Sequence, residues 1–227
     1  MKKLEYPIII LNFKNYSEAT GEKALRLAII AEEVSKNKKV NIAICPQTVD
    51  IRMISQEVDL PILAQHIDSN DSGSHTGNNL VDAIIEAGAI GTLVNHSERQ
   101  LKISEIEKII EKSKEKGFLT CVCANNIQTS KAVAALDPAM VAMEPPELIG
   151  GNVSVTTKPD LVRKTVESIK QINPNVIPLV GAGVKTKEDV EKAIKLGAKG
   201  VLLASGFVKS KDPKQALEEM ADGILNS

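Results

Sequence analysis

The sequence predicts an α/β fold, a single (β/α)8 barrel that spans residues 1–227. Short apolar runs rich in Val, Ile and Leu recur eight times, and nearly continuous apolar runs are typical of parallel strands covered on both faces. Each run is followed by a longer segment of helical periodicity, and a repeating unit of about 28 residues suits one strand, one helix and two short loops. An open doubly wound sheet is the alternative, because periodicity does not prove that the sheet closes.

The eight predicted strands are distributed along the whole chain. They comprise residues 7–11, 40–45, 61–64, 91–94, 118–123, 140–143, 176–180 and 200–203. No linker, low-complexity tract or change of composition interrupts the series, so we expect one domain although length alone would favour two.

The segments between the runs are predicted to be amphipathic helices. Three of them carry an apolar stripe, formed by Ala24, Leu27, Ala28, Ala31 and Val34, by Val162, Val166 and Ile169, and by Val190, Ala193 and Ile194. Ser104 with Glu107, and Thr186 with Asp189, have the spacing of N-terminal capping pairs. Residues in a left-handed conformation are expected just past three helix ends, at Gly88, Gly117 and Gly197.

Composition narrows the class of function. Apolar residues make up 43% and charged residues 25%, the balance of a soluble globular protein. The formal net charge of -1 provides no global field for nucleic acid or a membrane surface, so an anionic ligand must be bound by a local site. Glu5 interrupts the N-terminal stretch that resembles a signal peptide, and no stretch approaches the roughly 20 apolar residues of a membrane span. An odd number of cysteines in apolar runs, Cys45, Cys121 and Cys123, favours a reducing cytoplasm.

Polar residues with catalytic potential follow three of the predicted strands. Asn12 and Lys14 follow the first strand, His96 the fourth and Glu144 the sixth. Each alone has an ordinary structural explanation as a solvated turn, a packed histidine or a paired carboxylate. The C-terminal ends of barrel strands meet at one mouth, however, and there they would supply the parts needed to move a proton beside a carbonyl. Glu144 would remove the carbon-bound proton, His96 would donate to the oxygen and Lys14 would stabilise its negative charge.

The last two strands are followed by turns of small residues. Gly181-Ala182-Gly183 follows the seventh strand, and Ala204-Ser205-Gly206 follows the eighth at the predicted start of a short helix. A glycine at a strand end is also typical of a plain turn. Small residues in both turns let backbone N–H groups approach an oxyanion, and this pair of positions is a known phosphate site of barrels.

These motifs, in this order and at these strand ends, resemble the triosephosphate isomerase family, whose fold is the TIM barrel. The resemblance runs from Asn12 to Gly206, most of the chain. The segments 142–150 and 73–77, together with the compact length, resemble the archaeal branch of the family.

The resemblance implies an isomerase that interconverts D-glyceraldehyde 3-phosphate and dihydroxyacetone phosphate through an enediolate, in glycolysis and gluconeogenesis, with no cofactor and no metal. It implies Glu144 as the base and His96 as a neutral electrophile, and this pairing is taken over from the family. Lys14 and Asn12 are implied as substrate contacts. Backbone groups that bind the phosphate are implied at Ile149, Gly183, Ala204 and Ser205.

Glu144 opens a segment that the family uses as a closing lid. Pro145 and Pro146 would stiffen its entry, while Gly150 and Gly151 would absorb the change of backbone dihedrals at its exit. A lid of this kind excludes water from the intermediate and protects it from elimination of phosphate.

Residues 65–77 contain two histidines and two aspartates, but their spacing matches no compact metal-ligand pattern. The resemblance implies instead a protruding loop that docks beside the active site of a neighbouring subunit. Thr76, near its tip, would support Asn12 and Lys14 of that neighbour. A homo-oligomer is therefore expected, with a tetramer favoured over a dimer.

Two departures from the better-known members of the family concern the lid and the phosphate turns. Pro146-Glu147 lies where those relatives have a tryptophan, and Ala204-Ser205 lies where they have two glycines. Both fit the shorter archaeal pattern. The rival functions are another sugar-phosphate enzyme on a barrel and a phosphate-binding barrel without turnover, because a fold does not dictate function. Neither would require the set of four polar residues at the mouth.

Overall fold

Eight parallel strands alternate with helices in the computed structural model of the protein, which describes residues 4–148 and 153–227. Each strand lies within two residues of its predicted run. The strands are β1 (Ile8–Asn12), β2 (Asn41–Cys45), β3 (Leu63–Ala64), β4 (Gly91–Val94), β5 (Leu119–Ala124), β6 (Met140–Met143), β7 (Ile177–Gly181) and β8 (Gly200–Leu203).

The strands are ordered as a barrel. Their sequence in the sheet is β2-β1-β8-β7-β6-β5-β4-β3, and every pair in this series is parallel. A parallel bridge between Ile44 and Ile62 brings the two ends of the sheet together, and the N–H of Ile44 donates to the carbonyl of Pro61 at 3.1 Å. The predicted (β/α)8 barrel is thus confirmed, and the alternative of an open doubly wound sheet is wrong.

Nine α-helices lie in the described part of the chain. They are α1 (Glu22–Lys38), α2 (Ile51–Glu57), α3 (Val81–Glu86), α4 (Ile103–Glu115), α5 (Ile127–Ala134), α6 (Pro159–Ile172), α7 (Lys187–Lys195), α8 (Ser205–Val208) and α9 (Pro213–Leu225). The predicted stripe of α1 is fully buried against the strands, whereas Val166 of α6 and Ile194 of α7 lie at the margin of the core and are half-buried.

The capping predictions have mixed outcomes. Thr186 caps α7, because its hydroxyl accepts from the N–H of Asp189 at 3.2 Å and the Asp189 carboxylate accepts from the N–H of Thr186 at 3.2 Å. The pair predicted at Ser104 is wrong. Helix α4 begins at Ile103, and the carboxylate of Glu105 accepts from the N–H of Lys102 at 3.0 Å, so the helix begins before Ser104. Left-handed glycines do follow three helices, with φ values of 107° at Gly88, 63° at Gly117 and 98° at Gly197.

Side chains of each strand alternate between two buried clusters. One cluster fills the barrel interior and contains Ile8 and Ile10 of β1, whereas Ile9 and Leu11 pack outwards against the helices. Because the strand period is two, the next inward position of β1 is Asn12. By the same rule Met140 and Ala142 of β6 are followed inwards by Glu144, and Leu202 of β8 by Ala204. The alternation of the core therefore directs Asn12 and Glu144 towards the barrel mouth.

Candidate active site

Lys14 lies in a strained turn directly after β1. Its φ of 47° is in the left-handed region, which costs a non-glycine residue about 1–2 kcal/mol. Two side chains stabilise the turn. The amide oxygen of Asn12 accepts from the N–H of Lys14 at 2.9 Å, and the amide of Gln65 donates at 3.0 Å to each of the carbonyls of Lys14 and Cys45.

The ammonium group of Lys14 is directed over the mouth and paired with a carboxylate. Its Nζ lies 2.8 Å from Oε1 of Glu98. The Lys14 side chain is only 11% exposed whereas that of Glu98 is 58% exposed, so water screens the anion more than the cation. A substrate anion can therefore compete with Glu98 for the lysine.

His96 is buried at the end of β4 and its ring orientation follows from one contact. Its Nδ1 accepts a hydrogen bond from the backbone N–H of Glu98 at 3.3 Å. The Glu98 carboxylate lies 3.5 Å from the same nitrogen, but the backbone contact is the shorter, and an N–H donor requires an unprotonated Nδ1. With Nδ1 as the acceptor, Nε2 is the ring nitrogen that can donate, and it faces Glu144.

Glu144 is the buried carboxylate of the mouth. It is 7% exposed, its Oε2 lies 3.5 Å from Nε2 of His96, and that oxygen has no hydrogen-bond partner within the described residues. Burial raises the pKa of the Glu144 carboxyl above its ordinary value, and the neighbouring His96 ring and Cys123 thiol offset only part of the rise. A buried carboxylate with a raised pKa and a free oxygen is well suited to accept a proton.

Two backbone features fix the position of Glu144. Its N–H donates to the carbonyl of Ala124 at 2.8 Å, which continues the pairing of β6 with β5 by one residue. Gly181 of β7 leaves room for the side chain, because an atom at its Cβ position would lie 2.8 Å from both Cγ and Oε1 of Glu144.

Two cavities open at the mouth and share Asn12 and Lys14. The larger, about 710 Å³, also contains Gln65, His96, Glu98 and Arg99 in its wall. Glu144 lines the smaller one, about 30 Å³, together with Tyr16, Ala182, Gly183, Val184, Lys185, Ala204 and Ser205. The turns after β7 and β8 therefore lie beside Glu144 and Lys14, as expected of one binding site for a small ligand.

The two small-residue turns have the geometry that close approach requires. Ala182 and Gly183 have φ values of 72° and 71°, so successive residues are left-handed. An atom at Cβ of Gly183 would overlap the carbonyl of Val153, and only glycine fits there. The short helix α8 begins at Ser205, as its position after the eighth strand predicts.

The barrel thus brings most of the predicted site residues together. Seven line the two cavities, namely Asn12, Lys14, His96, Glu144, Gly183, Ala204 and Ser205. Ile149 and the predicted hinge glycines Gly150 and Gly151 lie outside the described residues. The supporting role of Gln65 was missed, although a polar residue directly after the third apolar run was a usable signal.

The contact of the Cys123 thiol with Glu144 was also not predicted, because a cysteine in an apolar strand is more typical of a core. Burial raises the pKa of all three cysteines, so their thiols are protonated and unreactive at neutral pH.

Among residues 4–148 and 153–227, no group of three or more His, Cys, Asp or Glu side chains could hold a metal ion. Nε2 of His66 instead lies 3.0 Å from Oδ1 of Asp68, within hydrogen-bond distance. None of the helices in these two ranges is long and apolar enough to cross a membrane.

The fold and the mouth define a class of protein. A closed parallel barrel whose strand ends present a buried carboxylate, an imidazole and an ammonium group is an α/β-barrel enzyme that has the groups proton transfer requires.

Comparison with known proteins narrows that class. A family model described as Triosephosphate isomerase matches residues 7–221. The triosephosphate isomerase of Methanobacterium bryantii is 52% identical over 221 residues, which cover 97% of this chain and 98% of that protein. Those of Methanothermus fervidus and Methanocaldococcus jannaschii are 51% and 49% identical and cover 96% and 94% of this chain, and 98% of each relative. The chain belongs to the triosephosphate isomerase family, and the predicted resemblance to its archaeal members is confirmed.

Proposed function

We propose that this chain interconverts D-glyceraldehyde 3-phosphate and dihydroxyacetone phosphate, with Glu144 as the base that moves the proton. The family and the names of its relatives support the reaction. One observation carries the residue assignment: the buried Oε2 of Glu144, which has no partner among the described residues, lies 3.5 Å from Nε2 of His96 at the barrel mouth.

The reaction begins at C1 of dihydroxyacetone phosphate. Glu144 removes a proton from this carbon, the C–H electron pair forms the C1–C2 double bond, and the carbonyl π electrons move to the C2 oxygen. His96 donates from Nε2 to that oxygen, so negative charge develops against a preorganised donor. The proton on O1 is then transferred to O2 by way of His96, which completes the C2 hydroxyl. The proton held by Glu144 is returned to C2, the electron pair of the C1–C2 double bond forms the new C2–H bond, and the aldehyde forms at C1. No cofactor is needed because the electrons remain within the substrate.

A neutral imidazole suits this role. The N–H of Glu98 at Nδ1 keeps the ring proton on Nε2, where it faces the reacting oxygen. A neutral donor has a proton affinity closer to that of an enediolate oxygen than an imidazolium has, which favours hydrogen bonding in the intermediate. Lys14 supplies the positive charge that the imidazole lacks, both for the enediolate and for the phosphate.

The phosphate is assigned to the turns after β7 and β8. Backbone N–H groups of Gly183, Ala204 and Ser205 would bind its oxygens, and Ile149 of the lid would complete the site. The small cavity that the first three share with Glu144 supports this assignment. So does the absence of a side chain at Gly183, where backbone must approach closely.

We further propose one domain over residues 1–227 and a homo-oligomer in the cytoplasm, with a tetramer favoured over a dimer. Residues 71–78 are exposed, Thr76 among them, and the base of their loop is closed by Asp68 and Asn79. The N–H of Asp68 donates to the carbonyl of Asn79 at 3.0 Å, and the Asp68 carboxylate accepts from the N–H of Asn79 at 2.6 Å. A preformed protruding loop suits docking against a second copy, and sedimentation equilibrium tests the stoichiometry.

The catalytic proposal is tested with the purified full-length chain. Glyceraldehyde 3-phosphate is supplied, and dihydroxyacetone phosphate is followed by coupled glycerol-phosphate dehydrogenase. We expect rapid turnover by the wild type and a kcat lower by several orders of magnitude in Glu144→Gln, which keeps the shape but removes the proton acceptor. Wild-type rates near background would refute the isomerase reaction and would favour the rival function, a phosphate-binding barrel without turnover. Full activity of the variant would exclude Glu144 as the base.

A further inference from the structure

The C-terminal end of the lid segment is firmly attached to the barrel. We name residues 153–157 the lid exit. Val153 is 51% exposed, but Ser154, Val155 and Thr156 are each at most 5% exposed. The residues that follow Val153 are therefore packed into the barrel wall.

The lid exit lies against the turn that carries the proposed phosphate contact. We name residues 181–185 the phosphate loop. The N–H of Val155 donates to the carbonyl of Ala182 at 3.1 Å. The backbone at Gly183 is so close to the carbonyl of Val153 that no side chain fits between them. The two segments are therefore in direct backbone contact.

One carboxylate joins the two segments. Oδ1 of Asp189, in the first turn of α7, accepts from the hydroxyl of Thr156 at 2.9 Å. Its Oδ2 accepts from the N–H of Lys185 at 3.0 Å and from the N–H of Thr186 at 3.2 Å. On the lid side, the Thr156 hydroxyl also lies 2.9 Å from that of Ser154, and because Thr156 donates to Asp189, the serine donates to the threonine. The network satisfies every one of these groups.

We propose that Asp189 is a positioning residue that holds the lid exit against the phosphate loop, and so keeps the backbone at Gly183 in place to bind the substrate phosphate. The proposal rests on the function proposed above, because the phosphate role of Gly183 belongs to it. Asp189 does not touch substrate. It acts through Thr156 on one side and through the backbone of Lys185 on the other.

An ionised carboxylate suits this position better than a neutral side chain. Every group that hydrogen-bonds to the Asp189 carboxylate is a donor, and an anion accepts at both oxygens without presenting a donor of its own. Burial alone would raise the pKa of Asp189, but the hydrogen bonds from the N–H of Lys185 and the hydroxyl of Thr156 outweigh it and lower the pKa below its ordinary value. The carboxylate is thus ionised at neutral pH.

A plain helix cap is the competing explanation, since Asp189 and Thr186 also form the capping pair of α7. The two roles can be separated because each uses a different threonine. Thr156→Val removes the lid-side hydroxyl and leaves the cap, whereas Thr186→Val removes the cap hydroxyl and leaves the lid side. Both variants make the same chemical change at similar volume, and Thr156→Ser restores a hydroxyl at the lid side.

The readouts are the Kd of 2-phosphoglycolate, whose phosphate and planar carboxylate mimic the enediolate, and kcat/KM for phosphate-free glyceraldehyde. We expect Thr156→Val to weaken binding of the analogue about tenfold, the loss of one charge-assisted hydrogen bond at its lower limit. Glyceraldehyde turnover should change by less than about twofold, because that substrate does not use the phosphate loop. Thr156→Ser should bind as the wild type does, and Thr186→Val should lower Tm without weakening binding.

Equal weakening of analogue binding in the two valine variants would reduce Asp189 to a helix cap and overturn the proposal. Unchanged binding in Thr156→Val would overturn it too, as would an equal loss in analogue binding and in glyceraldehyde turnover. A wild type that binds the analogue but does not turn over glyceraldehyde 3-phosphate would refute the isomerase reaction, while the binding comparison still decides the role of Asp189. A wild type that does not bind the analogue would refute both.

Discussion

Gly181→Ala should displace the proposed base without touching its chemistry. The added Cβ would lie 2.8 Å from Cγ and from Oε1 of Glu144, and 2.7 Å from the carbonyl oxygen of Leu202. Ordinary van der Waals contact begins at 3.4 Å, so the carboxylate must move by several tenths of an ångström. A displacement of about 1 Å in an active site can cost about a hundredfold in rate, and we expect kcat to fall by about ten- to a hundredfold.

The same substitution also overpacks the barrel, and this effect needs a control. Gly91→Ala provides it, because a Cβ there would lie 2.6 Å from a methyl carbon of Leu63 and 2.7 Å from the carbonyl oxygen of Leu119. Overpacking of this kind costs about 1–3 kcal/mol of unfolding free energy in each variant. In a chain of this size that corresponds to a decrease in Tm of roughly 2–12 °C.

The assay compares kcat for glyceraldehyde 3-phosphate and Tm for the wild type and the two alanine variants, below the melting temperature of each. We expect both variants to be destabilised but only Gly181→Ala to lose activity. Equal activity losses would show that general strain in the barrel is responsible. Wild-type kcat in a folded Gly181→Ala variant would show that the position of Glu144 beside β7 is not required.

Three further predictions follow from the titration of Glu144 and from the loop at 65–77. Because burial raises the Glu144 pKa above 4.5, kcat/KM should fall on the acid side of the pH–rate profile with a midpoint above pH 4.5. A midpoint at or below pH 4.5 would contradict this prediction. Because the Glu144 pKa is raised in the folded state, the stability that this carboxyl contributes below its unfolded pKa is lost as pH rises through the folded pKa. The unfolding free energy of Glu144→Gln should therefore increase relative to that of the wild type between pH 4 and pH 7. Urea denaturation measures this gain, and a larger relative stability at pH 4 would oppose it. Asp68→Ala removes the acceptor that closes the loop and should weaken self-association about tenfold in sedimentation. Asp82→Ala, which breaks a surface pair with Lys116 outside the loop, should not, and equal effects would deny the role of the loop base.

The strands could be predicted from local sequence because each is a short apolar run buried on both faces. The same pattern left an open sheet as the alternative to the closed barrel, because closure depends on contacts such as that of Ile44 with Ile62, which no periodicity encodes. The Ser104 prediction was wrong for a local reason: the helix begins earlier, with Lys102 as its N-cap, and Glu105 rather than Glu107 accepts from the N-cap backbone.

The candidate site, too, could be predicted from the sequence only in part. Strand-end position and the family resemblance together indicated Glu144, His96, Lys14 and Asn12. They did not indicate what holds these residues, because the supports are distant in sequence. Gln65 stabilises the strained turn of Lys14 from 51 residues away. The capping pattern at Asp189 was visible locally, but its bond to Thr156, 33 residues earlier, required the fold.

Hydrogen exchange at carbon tests the central claim most directly, because it isolates proton transfer from product release. Dihydroxyacetone phosphate is incubated in D2O with the wild type and with Glu144→Gln, and deuterium at C1 is followed by NMR. We expect the wild type to catalyse exchange and the variant to be slower by several orders of magnitude, since the group that removes the proton is gone. Exchange at the wild-type rate in a folded Glu144→Gln variant would contradict the assignment of Glu144 as the base.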